Sequence, residues 1–332
     1  MRSSDAHEGE AAALTDPLST RPAAAHRSST LHIAAHLAVW AGLYIAGAVV
    51  CFAQLAGIDG LVPARARALA VSFAFCTAAA VYLLDRVKLR DAWLDPADAQ
   101  AHPQRFDFLA ARSALVRGLI VVLLVLAAWL GTMLISSGGG RWVGALVPVL
   151  AAAGVLVYAG RPRRGRARPK DILFIKNFYV AAGITGFAAV VALAAVHAGE
   201  HDWGLRAMWE TVKSHAAPLA VSAAHLAARV FADAVLCDLD DEDADRRHGT
   251  GTLPTHLGRA RAWNIALAIR LALAAAIALV PILPAPARLA WAGVTAASSI
   301  VLRLAAPARV RDWVDARLPI ESAMVAAVLW LS

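Results

Sequence analysis

Apolar stretches of bilayer length leave this chain few folds to choose from. Runs near 32–56, 66–86, 113–136, 142–160, 171–197, 216–238, 262–283, 285–305 and a shorter one at 318–332 follow one another with brief interruptions. A helix needs roughly 20 residues, at about 1.5 Å each, to cross about 30 Å of hydrocarbon. Lipid offers backbone N–H and C=O groups no partner, so such runs close their hydrogen bonds internally as helices, and the alternation of a barrel strand is absent. The expectation is an all-α integral membrane bundle of about nine transmembrane helices over residues 30–332, arranged around a central cavity. Residues 1–29 are polar, mixed in charge and too acidic to open a signal peptide, and read as a disordered tail.

Composition narrows the function classes. Hydrophobic residues make up 59% and charged residues 17%, with mean hydropathy +0.58, whereas a soluble domain carries about a quarter charged residues. A disordered chain is excluded and a soluble enzyme disfavoured. The net charge of +8 suits anionic lipid or a phosphorylated ligand. Nucleic acid is set aside, because the arginines stand between apolar runs and form no groove-sized face. Cys51, Cys76 and Cys237 lie in or beside apolar segments and read as packing residues.

The cations give an orientation. Eighteen Lys and Arg residues fall in the connections after the second, fourth, sixth and eighth runs, against six in the opposite connections. The positive-inside rule then places the N-terminus and the larger set in the cytoplasm, in a bacterial inner membrane. The densest connection, Arg161 to Lys170, reads as a topogenic and anionic-lipid contact.

Two acidic groups lie on that same side. Asp85 ends the second run and is followed by Asp91, Asp95 and Asp98. Asp238, Asp240, Asp241, Glu242, Asp243 and Asp245 follow the sixth. Asp238, Asp241 and Asp245 are spaced i, i+3 and i+7, on one helical face, where they repel one another and oppose the helix dipole. Acids gathered against both penalties ask for a cation, and ligands that are all oxygen on the cytoplasmic side point to Mg²⁺, which often binds one or two carboxylates plus substrate phosphates. A solvated acidic loop balancing Arg246 and Arg247 is the plainer alternative. Asp95-Pro96 with Asp98 reads as a helix cap, a first-turn proline and a first-turn acid.

The stretch from Asp240 to Gly258, DDEDADRRHGTGTLPTHLG, resembles the second aspartate motif of the UbiA superfamily of intramembrane prenyltransferases: Asp241, Asp245, Gly249, Thr252, Leu253, Pro254 and Gly258 match it in order and spacing. The first motif of that family, Asn-Asp, two residues, Asp, three residues, Asp, is only partly present. Val81-Tyr82 stand at its start, Asp85 keeps its place and Leu89 replaces the last acid, with Asp91 the substitute two residues further on. The resemblance implies Mg²⁺-dependent transfer of a prenyl group from an isoprenoid diphosphate to a small or lipidic acceptor. It implies Asp85, Asp241 and Asp245 as the catalytic core and metal ligands, with Asp91 a further ligand, and the helical face adds Asp238.

Lys176 and Asn177 lie inside the fifth run, where a charge is costly and usually functional, and the family tends to carry a lysine there; both are candidates for diphosphate contact. Arg86, Lys88 and Arg105 are candidates for an electrostatic cover over the phosphates, alongside the plainer reading of positive-inside bias. Tyr82 and Tyr158 either line the cavity or pack as ordinary aromatics. Arg229 and Asp233, four apart in the sixth run, are expected to form an internal ion pair, with cavity lining the alternative. Two other readings stay open. A terpene cyclase of the same superfamily would act on the diphosphate without an acceptor, and a transporter or lipid-binding protein would use the acids as an ion site.

Overall fold

The computed structural model describes residues 30–90, 96–135, 141–159, 171–198, 205–281, 283–305, 307 and 310–331. The tail 1–29, Asp91, Asp95 and the Arg161–Lys170 connection lie outside them. The described residues are helical, without strands. They begin with α1 (Thr30–His36), α2 (Val39–Leu55), α3 (Ala64–Val87), α4 (Pro96–Ala101) and α5 (Pro103–Ala111). Next come α6 (Ser113–Leu134), α7 (Arg141–Ala159), α8 (Ile175–Val196), α9 (Leu205–Ser214) and α10 (Ala216–His248). The series ends with α11 (Leu253–Leu257), α12 (Arg259–Leu279), α13 (Ala285–Ala305) and α14 (Val310–Leu331).

Seven of these, α3, α6, α7, α8, α10, α12 and α13, are long and apolar enough to cross a membrane. The chain is therefore an all-α integral membrane bundle. The first run is not one helix, because Ala38 adopts φ 58° and separates α1 from a 17-residue α2. The last run begins earlier than its apolar part, since α14 opens with Arg311, Asp312, Asp315 and Arg317 before Glu321. The sixth run also extends. α10 continues for 33 residues, so its acids stand on a helix and not in a loop. It stops where Gly249 takes φ 71°, the left-handed conformation glycine adopts without penalty.

The helices close on themselves. α3 packs on α2, α6 and α7; α8 packs on α2 and α10; α10 packs on α12 and α14; α13 joins α12 to α14, and α14 returns to α2. Two passes are close enough to exclude side chains. A Cβ on Gly131 of α6 would lie 2.3 Å from the Gly144 carbonyl of α7, and one on Gly47 of α2 would lie 2.8 Å from the backbone nitrogen of Pro319 in α14.

Midway along the bundle the core is charged. Asp233 accepts from Arg270 Nη1 at 2.9 Å, from Tyr44 at 2.8 Å and from Arg317. Glu321 accepts from Arg270 Nη2 at 2.9 Å, from Ser298 and from Arg229. All five charged side chains are buried. This corrects the expected pairing of Arg229 with Asp233. Arg229 bonds Glu321 of α14, while Asp233 is taken by Arg270 of α12 and Arg317 of α14, so the ties run between helices and not along one.

Candidate functional site

Beyond that core, towards one end of the bundle, α3 and α10 finish together with the starts of α8, α12 and α14. The α10 face carrying Asp238, Asp241 and Asp245 turns inward: Asp238 and Asp245 are buried and Asp241 is half-buried. Each carboxylate meets a cation or donor from another element. Lys176, one residue into α8, places Nζ 2.6 Å from Asp238 Oδ1 and 3.9 Å from Asp245 Oδ2. Asn177 donates to Asp238 Oδ2 at 3.2 Å. Arg311, in the first turn of α14, donates to Asp241 Oδ2 at 2.6 Å, and His102 Nε2 lies 2.7 Å from Asp241 Oδ1. Asp245 Oδ2 is buried and makes no hydrogen bond among the described residues.

The order of these ties follows from local sequence. His102 precedes Pro103, whose missing N–H suits the first position of α5, and so the imidazole is fixed at the turn between α4 and α5. Burial pushes the His102 pKa down, partly opposed by its bond to Asp241 and reinforced by Arg311 and Arg105. Asp240 points to the other side of α10 and accepts from the backbone N–H of Val310 and Arg311, at 3.2 and 2.9 Å, satisfying the open start of α14. Gly251 N–H donates to the Asp171 carbonyl at 2.9 Å, which ties the loop after α10 to the approach of α8. Thr252 heads α11 with its N–H bonded to Thr255 Oγ1 at 2.9 Å, and Pro254 falls in the first turn.

The residues on α3 and beyond it divide. Lys88 donates to Asp85 Oδ1 at 2.5 Å. Arg86 donates to Asp98 Oδ1 at 2.7 Å, with Arg105 Nη2 3.9 Å from the same oxygen. The α3 end faces the α10 acids: Tyr158 of α7 lies within electrostatic reach of Lys176, Asp85 and Asp238, and Arg86 within reach of Asp85 and Asp241. Tyr158 stacks on Tyr179 of α8 with centroids 4.8 Å apart. Tyr82 stands near Asp315, Cys237 and Arg311. A cavity of about 410 Å³ opens on the Asp240 side of α10, lined in part by His102, Arg105, Asp240, Arg259, Arg311 and Asp312, and Asp238, Asp241 and Asp245 do not line it.

Arg311, His102 and Asp240 were not among the sequence candidates. Arg311 counted there as one more positive-inside cation, and nothing in the spacing brings residues 102 and 241 together. The one local signal was His-Pro at a helix start.

The donor set bears on whether a divalent cation fits. Among the described residues no three acid, histidine or cysteine side chains converge as a ready-made metal site. Mg²⁺ does not need such a cage, since it keeps waters and takes one or two carboxylates plus substrate phosphates. Asp238, Asp241 and Asp245 supply hard oxygen donors on one face, and the buried Asp245 Oδ2 lacks a hydrogen bond, so these residues fit.

No protein-family model and no curated protein sequence matches this chain. Two solved structures resemble it. The apo structure of a UbiA homolog from Aeropyrum pernix K1 superposes with a TM-score of 0.60 at 17% identity, over 88% of this chain and 98% of that one. A digeranylgeranylglyceryl phosphate synthase gives a TM-score of 0.47 at 12% identity, over 90% of this chain and 97% of that one. The apolar helices and the superposition on the UbiA homolog together make the chain an integral membrane protein with the UbiA fold.

Proposed function

We propose that this chain is an Mg²⁺-dependent intramembrane prenyltransferase, moving a prenyl group from an isoprenoid diphosphate to a small or lipidic acceptor. The observation that carries the reading is the α10 face at the bundle end, where Asp238, Asp241 and Asp245 converge on one lysine ammonium and one arginine. Three carboxylates on one face, one of them with a buried oxygen that makes no hydrogen bond among the described residues, supply the hard donors that a metal-bound diphosphate takes up, and the fold of the UbiA homolog agrees with it.

Asp238, Asp241 and Asp245 are the residues that would hold the ion. Bound there, Mg²⁺ supplies positive charge to the diphosphate leaving group. Lys176, Arg311 and Arg86 add fixed charge where negative charge grows as the allylic C–O bond breaks and both electrons pass to the diphosphate oxygen. Asn177 orients Asp238 through its amide. The acceptor then bonds to the allylic carbon and loses a proton. The Tyr158–Tyr179 stack presents aromatic faces suited to a cation. The apolar helices keep water from it. The acid-bearing end faces the cytoplasm on the charge bias of the connections.

The test is turnover by purified protein in detergent with Mg²⁺ and farnesyl or geranylgeranyl diphosphate, with and without a membrane lipid extract as acceptor source. Pyrophosphate release that depends on the extract is expected. A cyclic hydrocarbon or alcohol from the diphosphate alone would assign a cyclase instead. Failure to consume either diphosphate by folded protein removes the reading.

A further inference from the structure

The residue that caps α3 is a lysine in a backbone conformation lysine seldom adopts. Lys88 has φ 57° and ψ 177°, at the edge of an extended positive-φ region that is almost confined to glycine, and a side chain held there carries conformational strain. Such strain persists only where the surroundings enforce it. The Lys88 N–H donates to the Leu84 carbonyl at 2.9 Å, and its own carbonyl accepts from Arg117 at 3.4 Å. In this conformation the side chain lies back over the helix it ends, with Nζ 2.5 Å from Asp85 and only 4% of the side chain exposed. Leu89 turns outward and is 51% exposed.

The Asp85 carboxylate therefore already holds a cation, one that the chain itself supplies. A divalent ion at the same carboxylate would be set against an ammonium already in contact with it, and like charges at that range repel strongly. At α10 the arrangement differs. The nearby ammonium belongs to another helix, the side chain of Lys176 is 21% exposed, and a buried oxygen of Asp245 is left without a hydrogen bond. Tyr158 of α7 lies within electrostatic reach of both Asp85 and Asp238.

We infer that Lys88 Nζ is a resident cation standing in place of a metal ion at the α3 end, so that the site takes one divalent ion per chain, at the α10 carboxylates, and meets the diphosphate on the α3 side with the lysine. This rests on the prenyl-diphosphate reading above. An ammonium offers three donors and a single charge, enough to contact phosphate oxygens without the acids a second metal would need.

The experiment counts bound Mn²⁺ by electron paramagnetic resonance on the detergent-purified full chain, with inorganic pyrophosphate as the probe. One Mn²⁺ per chain is expected in the wild type and one in Asp85→Asn. Lys88→Met should weaken pyrophosphate binding about tenfold, as loss of one charge-assisted contact does. Two ions in the wild type falling to one in Asp85→Asn, or one falling to none, would make Asp85 a metal ligand and overturn the inference while the diphosphate reading stands. Unchanged pyrophosphate affinity in Lys88→Met would also overturn it. No Mn²⁺ bound by folded wild-type protein with pyrophosphate would remove the diphosphate reading and this inference with it. Should Lys88→Met fail to fold, the wild-type and Asp85→Asn counts decide.

Discussion

Lys176 and Asp238 form a close cross-helix contact at the acid face, with Nζ 2.6 Å from Oδ1 and the carboxylate 1% exposed. The same ammonium reaches towards Asp245, seven residues further along α10. One cation thus offsets two carboxylates that would otherwise repel each other at buried positions. Removing one partner of a buried pair leaves an uncompensated charge and costs about 3–5 kcal/mol. Lys176→Met should therefore lower the melting temperature in detergent markedly. Added Mg²⁺ should recover part of the loss, and recover more than it adds to the wild type, because it restores positive charge between the same acids. A thermal melt with and without Mg²⁺ checks this, and an equal Mg²⁺ effect on both proteins would contradict the metal assignment.

Asp241 and Asp245 should separate stability from activity. Asp241 accepts from Arg311 and meets His102, so Asp241→Asn breaks ties to α14 and to the α4–α5 turn and costs about 1–3 kcal/mol. Asp245 Oδ2 has no hydrogen bond to lose and only the longer 3.9 Å approach of Lys176, so Asp245→Asn should destabilise less than Asp241→Asn. Both should lose prenyl-diphosphate turnover by at least about a hundredfold, the scale on which electrostatic contacts to a developing charge act. Wild-type turnover in folded protein carrying either change would refute the metal role.

Much of this arrangement is legible in the sequence because membrane helices obey two coarse rules, length and polarity. The run lengths predict the bundle, and the i, i+3, i+7 spacing places Asp238, Asp241 and Asp245 on one face before any coordinates. What escapes is what depends on a second helix. Arg229 and Asp233 satisfy the i, i+4 rule for a pair, yet each finds a better-placed partner on α12 or α14. Arg311 looks topogenic until α14 is seen to begin beside Asp241. The backbone of Lys88 is invisible for the same reason, since its left-handed φ has no local glycine to announce it.

The charged core midway along the bundle should be the least tolerant region. Glu321 joins Arg229, Arg270 and Ser298, with three helices meeting on one carboxylate. Glu321→Gln leaves buried guanidinium groups short of a negative charge, a loss of about 3–5 kcal/mol. It should abolish a monodisperse peak in size-exclusion chromatography. Tyr44→Phe at the same cluster removes one hydrogen bond to Asp233, costs about 1 kcal/mol, and should leave the peak intact with a modestly lower melting temperature. A well-folded Glu321→Gln would mean that solvent or another anion reaches these arginines.

Two glycines on one helix should respond in opposite directions. At Gly131 an added Cβ would sit 2.3 Å from the Gly144 carbonyl, which is backbone and cannot swing aside, so α6 and α7 must separate. Overpacking of this kind costs about 1–3 kcal/mol. At Gly118, also on α6, nothing lies within 4 Å of an added Cβ. There alanine only removes the conformational freedom of glycine in the unfolded chain, which stabilises a helix by about 0.5–1 kcal/mol. Thermal melts of Gly131→Ala and Gly118→Ala in one detergent therefore test the α6–α7 crossing directly. A lowered value for the first with an unchanged or raised value for the second is the expected pair. Equal shifts would place the crossing elsewhere, because only a close backbone pass makes the same methyl group harmful at one position and harmless thirteen residues away.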